Sequence, residues 1–315
     1  MKILLTSTSF MDTPGPHHDR LQELGLEVDR MRGPLPEKDL LPIIAGYDGM
    51  ICGDDELNER VLTEGAKGRL RFLSKYGIGL DKIDLKAAEK LNILIANTPG
   101  VNHITVAEHT FAHILAFYRN YFPVVSGTKT GQWKRITGHE ISGKRLAVFG
   151  LGRIGKEVAK RAKAFGLEVC VFDPFPDMDF IRDNSLVLAD SPQELFRDAD
   201  IITLHSPLTA DTRHIIGEQV FQNLTRKPLI VNTARAHLVD KKALVRALDN
   251  GSIAGYATDV MWEEPMPPTE SLFRYDNVYI TTHIGSRNFE SVSRQGCAAV
   301  ENLAMLLQKL PQNRN

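Results

Sequence analysis

The chain has 315 residues, 43% hydrophobic and 24% charged, which is the composition of ordinary folded proteins and a length that calls for two domains. Its 38 Lys and Arg offset 39 Asp and Glu to a net charge of -1, so no bulk field draws nucleic acid or an anionic bilayer. Cys52, Cys170 and Cys297 lie far apart without C-x-x-C spacing, which argues against a disulfide framework or a zinc site and for a reducing compartment.

At the N-terminus the apolar run Ile3–Leu5 gives way to Thr6-Ser7-Thr8-Ser9 and is too short for a signal-peptide core. No later run is long enough to span a bilayer, so the chain reads as cytoplasmic. Short apolar runs predict strands at Lys2–Thr6, Gly49–Cys52, Leu70–Lys75 and Ile93–Ala96. Between the first two, His17 and His18 read as surface residues. Asn97-Thr98-Pro99-Gly100 is a turn, after which Ile104, Ala107, Phe111, Ile114, Leu115 and Tyr118 recur at helical spacing. On that helix His103, His109 and His113 read as packed or solvated, without a carboxylate or thiol partner at metal-ligand spacing.

The strand rhythm restarts at Arg145–Phe149 and continues through Glu168–Phe172, Asp200–Leu204, Pro228–Asn232, Gly255–Thr258 and Val278–Thr281. Strands alternating with helices predict an α/β protein with parallel sheets in two successive units. A last helical pattern follows Ile284-Gly285-Ser286 and runs to Leu310-Pro311, and spacing leaves open which unit it packs on. No repeat of solenoid length appears.

The strongest local motif is Gly150-Leu151-Gly152-Arg153-Ile154-Gly155, which follows the apolar strand Leu146-Ala147-Val148-Phe149 and opens an amphipathic helix. Gly150 suits a tight turn, Gly152 a close backbone approach to a pyrophosphate, and Gly155 close packing of helix on strand. Amides at the helix start then face the phosphates. Asp173 ends the next strand, where the ribose-binding acid of such units belongs. An acid there accepts hydrogen bonds from the 2′-hydroxyl of NAD and repels the 2′-phosphate of NADP, so NAD is the expected cofactor.

Three further segments place a polar residue at or just past a strand end, where open parallel sheets form their ligand crevice. They are Val231-Asn232-Thr233-Ala234-Arg235-Ala236, Asp259-Val260-Met261-Trp262-Glu263-Glu264-Pro265 and Thr281-Thr282-His283-Ile284-Gly285. With these, the chain resembles the D-specific 2-hydroxyacid dehydrogenases, the group that contains phosphoglycerate dehydrogenase and glyoxylate or hydroxypyruvate reductase. The resemblance extends over nearly the whole chain. Tyr76-Gly77-Ile78-Gly79-Leu80-Asp81, Asn97-Thr98-Pro99-Gly100, Val106-Ala107-Glu108-His109, Gly131-Gln132-Trp133 and His205-Ser206-Pro207-Leu208 match family patterns in family order.

The resemblance implies two Rossmann-like doubly wound domains, the nucleotide domain at 102–284 inserted into a substrate-binding domain at 1–101 and 285–315. The closing helix would then return to the first unit. It implies His283 as the acid/base, Glu264 as its carboxylate partner and Arg235 as the anchor of the substrate carboxylate, roles that suit imidazole titration and a permanently charged planar fork. Backbone amides of Gly77, Ile78 and Gly79 would bind the other side of that carboxylate. Contacts to NAD would come from Val106, Gly150, Gly152, Arg153, Ile154, Gly155, Asp173, His205, Ser206, Pro207, Thr212, Thr233, Ala234, Asp259 and Gly285. No metal is implied, and a homodimer joined through the nucleotide domains is, with the helix Ile104–Tyr118 a candidate contact.

The expected partner is a small D-2-hydroxy or 2-oxo acid. Related phosphoglycerate dehydrogenases carry a phosphate-binding arginine near the end of the strand one unit before the Gly77 turn, where this chain reads Ile51-Cys52-Gly53-Asp54-Asp55-Glu56. Acids there would repel a phosphate, and the regulatory domain appended to many of those enzymes has no counterpart here. Phosphoglycerate dehydrogenase proper is therefore one candidate, and an NAD(H)-sensing corepressor-like binding protein is another. Glu264 sets the chain apart from the formate dehydrogenases, which place a glutamine there.

Overall fold

Residues 1–309 are described by a computed structural model, and they fall into two compact units, one formed by residues 1–102 and 286–309, the other by His103–Gly285. In the first, the strands β1 (Lys2–Leu5), β2 (Glu27–Arg30), β3 (Gly49–Cys52), β4 (Phe72–Lys75) and β5 (Leu94–Ala96) form a parallel sheet in the order β2-β1-β3-β4-β5. Successive side chains point to opposite faces, so each strand feeds two cores. Leu4, Met50, Cys52 and Leu73 enter one cluster with Leu57, Val61 and Leu62, while Ile3, Leu5, Ile51 and Phe72 enter the other. The second cluster is completed by Ala299, Val300, Leu303 and Leu306 of the closing helix Phe289–Lys309. That helix packs on β4 and β5, and Ser74 donates a hydrogen bond to the Ala299 carbonyl at 2.7 Å. The helix end expected at Leu310-Pro311 lies outside the described residues.

The second unit repeats the plan with β6 (Arg145–Phe149), β7 (Glu168–Phe172), β8 (Val187–Leu188), β9 (Ile201–Leu204), β10 (Leu229–Asn232), β11 (Gly255–Thr258) and β12 (Val278–Ile280), all parallel. Their order is β12-β11-β10-β9-β6-β7-β8. Alternation again divides the strands: Ala147, Phe149, Ile202, Leu204 and Ile230 face one cluster, and Leu146, Val148, Ile201, Leu229 and Val231 the other. The order reverses between β6 and β9, the switch point at which doubly wound sheets open a crevice beyond their carboxyl ends. Both units are Rossmann-like.

Two edge strands, β2 and β8, were not among the expected strands, and one expectation is corrected. His17 is wholly buried rather than at the surface. Its Nε2 donates to the Phe10 carbonyl at 3.0 Å, and the ring lies so close to Gly296 that a Cβ there would come within 2.5 Å of it. Burial lowers its pKa, so the ring is neutral in the fold.

Candidate active site

The glycine loop occupies the switch point. Phe149, the last residue of β6, accepts a hydrogen bond from the His205 amide at 2.7 Å, and the Gly150 amide donates to the Phe172 carbonyl at 2.8 Å. Gly150 has φ +96°, a left-handed conformation that a side chain would strain. A Cβ on Gly155 would stand 2.0 Å from the Gly150 carbonyl oxygen, so the helix Arg153–Ala164 can approach β6 only with glycine there. A Cβ on Gly152 would meet nothing within 4 Å. Gly152 is also the N-cap of this helix and offers no side chain to its first amides, which are left for a ligand to satisfy. Open space beside uncapped amides is what a pyrophosphate requires.

Asp173 holds the loop from β7. One oxygen accepts the Leu151 amide at 2.7 Å and the other the Phe175 amide at 2.9 Å, and a carboxylate so engaged retains lone pairs for a ribose hydroxyl. Val106 is buried. Among the described residues the buried His205 Nε2 meets no hydrogen-bond partner, and burial pushes the ring's pKa down to about 3. Thr212 donates to the Pro207 carbonyl at 2.7 Å, fixing the turn after Ser206. Thr233 meets the Thr110 hydroxyl at 3.1 Å.

Arg235 follows β10 on a turn built by Asn232, a residue that had not been singled out. The wholly buried Asn232 amide donates to the Arg235 carbonyl at 2.9 Å and accepts from the Ala234 amide at 3.1 Å. The Arg235 guanidinium itself donates to the Ala234 carbonyl at 2.7 Å. Glu264 and His283 are brought together across 19 residues of sequence, with Glu264 Oε2 2.8 Å from His283 Nδ1. The other carboxylate oxygen accepts the Met261 amide at 2.7 Å, so Glu264 is fixed at both ends. An ionised carboxylate can only accept, so in this pair Nδ1 carries the hydrogen. His283 has φ +55°. A left-handed non-glycine residue costs on the order of 1–3 kcal/mol and persists only where its surroundings hold it.

Those surroundings are Asp259 and Gly285. The buried Asp259 accepts from Thr281 at 2.6 Å, the Ile284 amide at 2.9 Å and the Gly285 amide at 2.6 Å. Burial alone would raise its pKa, but hydrogen bonds from His109 and Thr281 outweigh that and hold the carboxyl at about 2. The i, i+4 spacing of His109 and His113 was the one signal in sequence for their shared face.

In the other unit, the Gly77 amide is taken by Thr98 Oγ1 at 2.8 Å, while among the described residues the Ile78 and Gly79 amides meet no acceptor. Of the acidic stretch before this turn, Asp54 and Glu56 are exposed and Asp55 is not. Asp55 is wholly buried and accepts from Thr6 and from the Leu35 and Gly53 amides, and Glu56 accepts the Glu37 amide. Asp54 pairs at 2.8 Å with Lys75, whose side chain is 3% exposed and whose ammonium also donates to the Gly53 and Tyr76 carbonyls. Burial would lower the Lys75 pKa, but the charge of Asp54 prevails and raises it, so the lysine stays charged. Arg69 is paired with Asp48. Among the described residues no group of three or more His, Cys, Asp or Glu is placed to hold a metal ion, and no helix is long and apolar enough to cross a membrane.

Residues 111–285 match the family model described as D-isomer specific 2-hydroxyacid dehydrogenase, NAD binding domain. The chain belongs to that family. The D-3-phosphoglycerate dehydrogenase of Methanocaldococcus jannaschii is 39% identical over 290 residues, 91% of this chain and 55% of that protein. The glyoxylate reductase of Korarchaeum cryptofilum is 36% identical over 255 residues, 79% of this chain and 76% of that protein. A crystal structure of a Thermus thermophilus protein superposes with a TM-score of 0.85 at 36% identity, covering 98% of this chain and 97% of that one. The chain thus spans about half the length of the first of these D-2-hydroxyacid dehydrogenase relatives and about three quarters of the second. The unit at 103–285 carries the family's NAD-binding domain, and the glycine loop with its uncapped helix start fits that cofactor.

Proposed function

We propose that this D-2-hydroxyacid dehydrogenase interconverts a small unphosphorylated 2-oxo acid and the corresponding D-2-hydroxy acid, with His283 as acid/base. The observation that carries the reading is the His283–Glu264 pair, 2.8 Å apart, with the carboxylate anchored on a backbone amide and the histidine's backbone in the left-handed region. NAD(H), when bound, takes or supplies the hydride. His283 Nε2 delivers a proton to the carbonyl oxygen in reduction and removes it from the hydroxyl in oxidation, while Glu264 balances the imidazolium charge. Arg235 holds the substrate carboxylate through its planar fork, and the Ile78 and Gly79 amides are donors of the same kind. The residues 102–284 are read as the nucleotide domain and the remainder as the substrate-binding domain.

Glyoxylate, hydroxypyruvate, pyruvate, 2-oxoglutarate and 3-phosphohydroxypyruvate, assayed by NADH oxidation, test the reading. Turnover on one or more unphosphorylated acids is expected, and NADH binding without turnover on any would sink it. His283→Ala is expected to lower turnover by about 10²- to 10⁴-fold with NADH affinity nearly unchanged; equal loss of both would make His283 structural. A phosphorylated substrate is the second reading, favoured by the 39% identity to a D-3-phosphoglycerate dehydrogenase. Preference for 3-phosphohydroxypyruvate would select it.

The homodimer belongs to the same reading. The helix His103–Tyr118 is a poor contact because its own unit buries most of its apolar face. The next helix, Tyr121–Lys129, has no buried residue; its Tyr121 and Phe122 lie at the surface, as does the 84%-exposed Trp133 beyond it. Sedimentation of Phe122→Asp/Trp133→Asp against wild type is expected to show monomer against dimer. Free Cys52 and Cys170 suit a reducing cytoplasm.

A further inference from the structure

The segment Thr281–Gly285 carries His283 out of β12, and its backbone is held by the side chain of Asp259, a residue expected from sequence only as an NAD contact. Asp259, just past β11, binds both amides that follow His283, those of Ile284 and Gly285, and also the Thr281 hydroxyl two residues before it. The imidazole is therefore bracketed on both sides by one carboxylate. That carboxylate is in turn set by the helix His103–Tyr118. His109 Nε2 lies 3.0 Å from Thr281 Oγ1 and 3.3 Å from Asp259 Oδ1. Thr281 gives its one hydroxyl hydrogen to Asp259 at 2.6 Å, so His109 must be the donor to the threonine oxygen.

His113, one turn on, approaches the same oxygen from 3.3 Å and packs edge-on to His109 at 4.7 Å between ring centroids. A Cβ on Gly285 would stand 2.7 Å from Asp259 Oδ2 and 3.4 Å from the His109 ring, so the contact tolerates only glycine. These groups lie within the unit at 103–285.

We propose that His109 is a positioning residue, which through Thr281 and Asp259 clamps the backbone on both sides of His283 and so maintains the left-handed conformation that lays the imidazole on Glu264. Among the described residues no second ring nitrogen reaches both Thr281 and Asp259: His113 approaches the threonine oxygen at 3.3 Å, and Thr281 has no second hydrogen. Loss of the His109 hydrogen bond takes one donor from the Thr281–Asp259 cluster and frees Thr281 to turn. The Ile284 and Gly285 amides then exchange their acceptor for water more often, and His283 departs from Glu264.

The inference rests on the proposed role of His283, and its test separates the two. His109→Leu, His109→Gln and His283→Ala are made in the full chain. Amide hydrogen exchange at Ile284 and Gly285, NADH affinity by fluorescence, and kcat and KM with glyoxylate are measured for each. Gln places an amide nitrogen where His109 Nε2 stands, and Leu places none. For His109→Leu, exchange at those two amides is expected to rise about 10-fold with the rest of the unit unchanged. Its kcat is expected to fall about 10- to 100-fold, with KM and NADH affinity within about threefold of wild type. His109→Gln is expected to restore most of both.

Unchanged exchange at Ile284 and Gly285 in His109→Leu would overturn the proposal, as would a His109→Gln variant as impaired as His109→Leu. Should His109→Leu not fold, His109→Asn, whose shorter amide falls short of Thr281, takes its place with the same expectations. Full activity of His283→Ala would overturn the acid/base assignment, while the exchange results would still decide whether His109 holds the segment.

Discussion

Two glycines of one loop make opposite demands on a methyl group, and that difference separates fold from binding. A Cβ on Gly155 meets the Gly150 carbonyl at 2.0 Å, so Gly155→Ala forces helix and strand apart. A loss of about 1–3 kcal/mol in unfolding free energy is expected, as for overpacked interiors, together with weaker NADH binding. A Cβ on Gly152 meets no protein atom within 4 Å at an ordinary φ of -69°. Gly152→Ala is therefore expected to stay within about 0.5 kcal/mol of wild type, as surface substitutions do, yet to weaken NADH binding, and chemical denaturation with fluorescence titration measures both. A stable Gly155→Ala with intact binding would refute this account. Both roles were readable from the spacing of the motif, because strand, turn and helix follow one another within a few residues. Asn232 closes a local turn with Ala234 and Arg235, whereas the role of His109 was not readable, since its partners Thr281 and Asp259 arrive through tertiary folding. His17 was misjudged for the same reason: a polar ring in a mixed segment shows no sign of the Gly296 surface that covers it.

At the scale of elements, Lys75 ties two strand ends together. Its ammonium spans the Asp54 carboxylate and the Gly53 carbonyl after β3 and the Tyr76 carbonyl after β4, just before the Gly77 turn. Lys75→Met removes the buried charge of this pair and leaves the carboxylate of Asp54, 47% exposed, without that cation. The expected cost is roughly 2–3 kcal/mol, below the value for breaking a fully buried pair because water reaches Asp54. Lys75→Met/Asp54→Asn should recover part of it, and the double-mutant cycle measures the coupling. The inner strands were visible as apolar runs because both faces of the sheet are covered. The two that escaped notice, Glu27–Arg30 and Val187–Leu188, sit at sheet edges, where one side of the ladder meets water and the side chains need not be apolar. The acidic stretch at Asp54–Glu56 shows the same limit, because charge in sequence does not tell whether a carboxylate faces a ligand or caps its own backbone.

At the scale of the molecule, burial keeps His17 of the first unit and His113 and His205 of the second as neutral rings. Burial, with His109 nearby, brings His113 down to about 4, and burial lowers His17. The unfolded rings take up protons near the ordinary value of 6.5, whereas the folded ones do not. Stability is then full above pH 6.5 and falls as pH drops below it, by up to about 1.4 kcal/mol per pH unit for each ring, until His113 itself titrates near 4. Asp259 acts lower, its contribution declining only as pH falls from the ordinary carboxyl range toward 2. Denaturation midpoints between pH 7 and 4.5 are expected to slope downward, and His113→Gln to flatten that slope; an unaltered slope would assign it elsewhere. The closing helix Phe289–Lys309 also bears on how the molecule is made. Its apolar side chains complete a core begun by Ile3 and Leu5, so on the ribosome the segment 103–285 emerges whole and can fold at once. The first hundred residues must instead wait, with one face of their sheet bare, until Phe289–Lys309 has been synthesised. Nascent chains stalled shortly after residue 285 should therefore hold a protease-resistant second unit and a first one that chaperones still recognise.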